Sequence, residues 1–153
     1  MVEIYTDGSS IGNPGPGGYG IVMQWKGKKY KKEFCSGYRH TTNNRMELLA
    51  VIKALEKLKK INQEVVIFSD SKYVIDAVEK KWVFKWKKDK FKGKKNSDLW
   101  KKFLKLFEIH NIKFKWVKAH NNHPQNERCD FLANNAAKGD NLFIDKNFEN
   151  NIV

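Results

Sequence analysis

The sequence predicts an α/β domain, a five-stranded mixed sheet flanked by helices on both faces. Three observations predict it. Alternating and β-branched runs fill the N-terminal part of the chain. After them, segments with helical periodicity alternate with short apolar runs. Four acids, Asp7, Glu47, Asp70 and Asp130, fall where a predicted strand ends or a predicted helix begins. The length, 153 residues, is that of one domain able to bury one core.

The elements follow in order. Residues 2–6 alternate Val2, Ile4 and Thr6 against Glu3 and Tyr5, as a strand does. GSSIGNPGPGG reads as a loop, and YGIVMQW and KKYKKEF as two strands joined at Lys26–Gly27. TTNN opens a helix whose apolar positions are Leu48, Val51, Ile52, Leu55 and Leu58. EVVIFSD has the composition of a buried central strand, and SKYVIDAVEK that of a second helix. SDLWKKFLKLFEIH is a third, amphipathic helix with Ser97 as its N-cap. IKFKWVKAH is the last strand of the five. PQNERCDFLANNAAKG is a final helix, with Pro124 in its first turn and Gly139 as its stop. The domain is expected to close at residue 139, and the polar tail 140–153 to be loosely held.

The net charge is +13. Such an excess concerns partners rather than fold, and points to polyanions: nucleic acid first, an anionic membrane surface second. No apolar stretch is long enough to span a bilayer, and the N-terminus runs straight into a strand without a signal-peptide pattern. Cys35 and Cys129 fit no metal-binding spacing and read as free thiols. The basic residues cluster. Nine of the residues 80–95 are Lys and one is an acid, Asp89. Trp82, Phe84, Trp86 and Phe91 interleave with them, and Trp82 and Trp86 share a helical face at i, i+4. Lysines for phosphates and aromatics for sugars and bases is the division of labour of a nucleic-acid groove.

Gly15, Gly17 and Gly20 formally match the dinucleotide fingerprint. A strand pattern rather than a helix follows them, so that reading is rejected. The glycines serve a tight turn or a close backbone approach to a partner.

Taken singly, each acid has a structural explanation. Asp7 before Gly8 suits a turn. Asn44 with Glu47 suits a capping box. Asp70 suits a helix cap, and Asp130 the positive end of a helix dipole. Together they suggest more. If the first and fourth strands are parallel neighbours, Asp7 and Asp70 emerge at the same carboxyl edge, where α/β sheets bind ligands. Four acids there repel one another unless a hard cation sits between them. Two Mg²⁺ ions about 3.5–4 Å apart would use such a set. His120, after the last strand, can reach the same edge and shuttle protons. His123, before Pro124, suits a turn.

The strings TDGSSIGNPGPGGYG, TTNNRMEL, SDSKYV and WVKAHNNHPQNERCD resemble, in order from about residue 2 to 138, the signatures of bacterial-type ribonuclease H, type 1. That resemblance implies an RNase H-like fold and a metal-dependent endoribonuclease. It would hydrolyse the RNA strand of RNA–DNA hybrids to 5′-phosphate and 3′-hydroxyl ends. It further implies two Mg²⁺ ions, with Mn²⁺ as a substitute, on Asp7, Glu47, Asp70 and Asp130, and His120 as the family's mobile histidine. Asn13 and Asn44 match residues that contact the RNA strand, and Thr42 a residue of the DNA phosphate pocket. Trp82 and Trp86 match the groove lining, and residues of about 81–96, including Lys85, Lys87 and Lys88, a basic substrate handle. The expected protein is a cytoplasmic monomer with no obligate protein partner and no separate N-terminal hybrid-binding domain. Ser10 stands where some members have Cys, Ala119 where Gly is usual, and Lys85 where an Asn often completes the phosphate pocket. The handle is several residues shorter than in well-known members.

Overall fold

The computed structural model describes residues 1–119 and 122–153. Among the described residues six strands form one sheet: β1 (Val2–Ser10), β2 (Gly15–Trp25), β3 (Lys31–Thr41), β4 (Glu64–Ser69), β5 (Asn111–Trp116) and β6 (Leu142–Phe143). Their order is β5-β4-β1-β2-β3-β6. β1, β2 and β3 pair antiparallel, and β4 pairs parallel to both β1 and β5. The sixth strand, not expected from the sequence, is a two-residue parallel addition to the edge of β3.

The helices are α1 (Asn43–Glu56), α2 (Lys72–Glu79), α3 (Trp82–Lys88), α4 (Ser97–Ile109), α5 (Pro124–Ala137) and the short α6 (Lys146–Glu149). The apolar stripe of α1 lies in the main core with Ile4, Ile21, Met23 and Ile67 of the sheet and Trp100 and Phe103 of α4. α5 covers the opposite face, where a small cluster of Tyr5, Val22, Cys129 and Leu132 forms its apolar contact.

Two local expectations change. Most of the glycine-rich segment is strand rather than loop, and Gly18 and Gly20 lie on the sheet face under α5. A Cβ on Gly20 would come 2.3 Å from the carbonyl oxygen of Cys129, and one on Gly18 2.5 Å from that of Ala133. Close approach is thus the reason for these glycines, and the neighbour is the chain's own helix. The third helix is capped at Asn96, in the left-handed region, so Ser97 is its first residue and not its cap.

The tail is docked rather than loosely held. Asp145 caps α6 and is buried, accepting hydrogen bonds from Arg45 Nε (2.8 Å) and Thr41 Oγ1 (2.8 Å). The Arg45 guanidinium, 2% exposed, also donates twice to Asp98 at 2.9 Å and once to Asn96 at 3.2 Å. A buried cation needs such a full set of acceptors, and residue 145 completes it. Arg39 forms a second link, a bidentate pair with Glu149.

Candidate active site

β1 and β4 are parallel neighbours, the condition under which Asp7 and Asp70 share an edge. Their registered pairing ends at Tyr5 opposite Phe68, and two residues further along each chain come Asp7 and Asp70. Asp7 lies inside β1 rather than at its end, since β1 continues along β2 to Ser10. β4 stops at Ser69, so the flank of β1 beside Asp7 is open at the carboxyl edge.

Glu47 reaches this edge because α1 crosses β1 very closely. A Cβ on Gly8 would lie 2.3 Å from the Glu47 backbone nitrogen and 2.3 Å from the Met46 carbonyl carbon. Only a residue without a side chain allows that crossing. The Gly8 N–H donates to both acids, to Asp7 Oδ1 at 2.9 Å and to Glu47 Oε1 at 3.1 Å. On the other face, Gly20 pairs with Asp7 and admits α5, which carries Asp130.

The capping explanations for Glu47 and Asp70 fail in their details. The N-cap of α1 is Thr42, whose hydroxyl accepts from the Arg45 N–H, so Glu47 is beyond the capping box and Asn44 is not the cap. Ser71, not Asp70, caps α2, accepting from the Val74 N–H at 3.3 Å. Neither acid is needed by its helix.

Ligand oxygens of Asp7, Glu47 and Asp70 all lie within 4.8 Å of one another. Burial pushes Asp7 up to about 8; a hydrogen bond with Glu47 pulls the other way, and the charges of Asp70 and Asp130 add to the rise. Burial and then the Asp7 charge hold Glu47 well above the ordinary carboxylate range. Asp70 is also raised, chiefly by burial. Glu47 Oε2 is sealed from solvent and has no hydrogen-bond partner among the described residues. Crowded, dehydrated carboxylates with one oxygen unsatisfied are the donor set a hard divalent cation requires. Asp130 stands beside the three, close enough for its charge to act on Asp7 and Asp70. Asn134 fixes it, donating to its Oδ1 at 3.1 Å and accepting from Ser9 Oγ at 3.1 Å. Sequence reasoning missed Asn134, although Asp and Asn at i, i+4 on one helix is a readable signal.

His120 lies outside the described residues. His123, expected in a turn, is the N-cap position of α5 and packs against Tyr5, ring centroids 5.3 Å apart.

The expected nucleic-acid contacts fall in two sets. Asn13, Thr42 and Asn44 gather at the start of α1, where Asn13 Oδ1 accepts from the Asn43 N–H at 3.1 Å. Asn43, not anticipated, ties this turn to β1 by accepting from the Ser10 N–H at 2.6 Å. The second set is α3. Trp82 is 43% exposed, whereas Trp86 is half-buried, edge-on to Trp100 at 5.9 Å. Lys85, Lys87 and Lys88 are exposed along the same helix.

A family model described as RNase H matches residues 1–138. A relative named Ribonuclease H from Desulforamulus reducens is 53% identical over 149 residues, covering 94% of this chain and 92% of the relative. Another of that name, from Klebsiella pneumoniae, is 51% identical over 142 residues, covering 90% of this chain and 89% of the relative. Among solved structures, LC9-RNase H1, a type 1 RNase H with the type 2 active-site motif, is similar with a TM-score of 0.80 and 32% identity, over 89% of this chain and 71% of that one. LC11-RNase H1, solved in complex with an RNA/DNA hybrid, is similar with a TM-score of 0.69 and 28% identity, over 90% of this chain and 96% of that one.

Proposed function

Since the chain belongs to the RNase H family and is thus a hydrolase acting on nucleic acid, we propose that it cleaves the RNA strand of RNA–DNA hybrids endonucleolytically, leaving 5′-phosphate and 3′-hydroxyl ends. It does so as a cytoplasmic monomer, with two Mg²⁺ ions as its cofactor and Mn²⁺ as a substitute. One observation carries the metal assignment: three carboxylates with oxygens within 4.8 Å, one of them with a sealed and unpartnered oxygen. Divalent ions bound there would polarise the phosphate and lower the pKa of an attacking water.

The chain's own groups hold and orient. Asp7, central in the charge cluster, would hold the metal. Asp70 and Glu47 complete the set, and Asp130 is held in place by Asn134. His120 accepts or returns a proton during turnover. Thr42 accepts from the Arg45 N–H, which leaves its own hydroxyl hydrogen free to donate to a DNA phosphate. Asn13 and Asn44 stand at the same turn for the RNA strand. Trp82, Trp86, Lys85, Lys87 and Lys88 form the handle that grips the far backbone.

The test is incubation with labelled hybrid, double-stranded RNA, double-stranded DNA and single-stranded RNA, each with Mg²⁺ or EDTA. Internal cuts in the RNA of the hybrid alone, requiring the metal and leaving phosphatase-sensitive 5′ ends, are expected. Cutting in EDTA, or equal cutting of double-stranded RNA, overturns the reading.

A further inference from the structure

β5 ends beside the acid cluster and packs against α2. Its last residue, Trp116, pairs in register with Ser69, immediately before Asp70, and the Val117 N–H donates to the Ser69 carbonyl at 2.9 Å. From strand spacing and the length of one residue, Trp116 Cα stands roughly 6 Å from that of Asp70. The indole is not a core residue: Trp116 is 46% exposed. Lys72, on the first turn of α2, places its ammonium 4.3 Å from the ring centroid. Trp116, Val117, Lys118 and His123 line an open cavity of about 400 Å³. Residues 109–126 contain three Lys and no acid.

An exposed indole with an ammonium over its ring and a second lysine lining the same cavity, beside a cluster of acids, has a specific chemistry. The aromatic face accepts a base by stacking, and the ammonium groups accept the phosphates on either side of it. A duplex cannot use the indole, because its bases are already stacked on one another. We infer that Trp116, with Lys72 and Lys118, is a docking platform for single-stranded nucleic acid that continues past the catalytic edge from the end of a hybrid. Resting on the hybrid-cleavage reading, it adds a substrate class to it: hybrids that end in an unpaired extension, about two nucleotide steps from the acids at 3.4 Å each. The platform residues belong to β5, α2 and the segment after β5, and none is on α3, which carries the handle.

Binding is measured by fluorescence anisotropy of labelled hybrids, blunt or carrying a short single-stranded extension on either strand, with Ca²⁺ replacing Mg²⁺. The wild-type chain is expected to prefer an extended hybrid. Trp116→Ala reduces that preference by roughly 5- to 150-fold, the range expected for removing one base–aromatic stack, while Trp116→Phe keeps it. Lys72→Ala with Lys118→Ala flattens the salt dependence of the extended complex by about 0.7 for each phosphate left unneutralised. No preference in the wild type, or a preference that survives Trp116→Ala, overturns the platform. An equal loss on blunt and extended hybrids also overturns it, because Trp116 would then serve the duplex or the fold. Failure of the wild-type chain to cut any hybrid in Mg²⁺ would sink the hydrolase reading alone, since the preference is read from binding.

Discussion

Gly8→Ala tests how the site is assembled. The added Cβ would sit 2.3 Å from backbone atoms of Met46 and Glu47, where ordinary contact begins at 3.4 Å. Neither obstacle is a side chain that can rotate away, so α1 must retreat by about 1 Å. α1 is buried along its whole inner face, and forcing it outward costs about 1–3 kcal/mol. That lowers Tm by roughly 2–12 °C for a chain of this size. The chemical effect is larger. Glu47 moves with α1 while Asp7 stays in the sheet, and a displacement of about 1 Å in a reacting constellation costs roughly 100-fold in rate. Hybrid cleavage in Mg²⁺ is measured well below Tm, beside a thermal melt. Gly139→Ala is the control, because its nearest neighbour would be at 3.4 Å. If folded Gly8→Ala retains a rate within threefold of wild type, the close crossing of α1 does not set the site.

Asp7→Asn should abolish cleavage and, without metal, stabilise the chain in alkali. The raised carboxyl keeps a proton in the folded state that the unfolded state releases near pH 4. Its contribution is therefore present below about pH 4 and lost as pH rises through about 8. In EDTA the variant should melt with the wild type near pH 4 and above it at pH 9, by on the order of 2–4 kcal/mol or roughly 4–16 °C; a pH-independent difference refutes this. Replacing Lys87, Lys88, Lys90 and Lys92 with Ala should raise KM with little change in kcat and flatten the salt slope of hybrid binding by about 0.9 for each phosphate no longer neutralised. An unchanged slope would mean that these lysines are only a solvated face. Asp145→Ala strips one carboxylate from buried Arg45 and should cost about 3 kcal/mol in urea unfolding; a loss under about 0.5 kcal/mol would show that Asp98 alone suffices.

The first five strands and α1, α2, α4 and α5 were legible because each carries its own period, and the acids because they punctuate it; α3, β6 and α6 were not. Parallel pairing of β1 with β4 could be stated only as a condition, since register is a tertiary fact. The glycine run misled for the same reason. Gly18 looks like a loop residue until α5 is seen lying against it. The tail misled through composition: its Asn-rich sequence gives no hint that Asp145 meets a cation 100 residues earlier. Asp7, Glu47 and Asp70 were readable as a set, whereas the dual role of the Gly8 N–H and the hold of Asn134 on Asp130 depend on geometry that spacing alone does not contain.

The way α5 is attached has a consequence for local opening. It sits on a glycine-floored stretch of sheet and buries only Asn126, Cys129, Leu132, Ala133 and Ala137, whereas α1 buries Met46, Leu48, Leu49, Val51, Ile52 and Leu55 among others. Detaching α5 exposes far less apolar surface than detaching α1, so its opening free energy is the lower of the two. Its amides should exchange with solvent deuterium ahead of those of α1 when no metal is present. A cation shared between Asp130 and the acids of the sheet edge would fasten this helix, slowing its exchange in proportion to occupancy. Cofactor loading would then be visible as protection of α5 before any substrate is added.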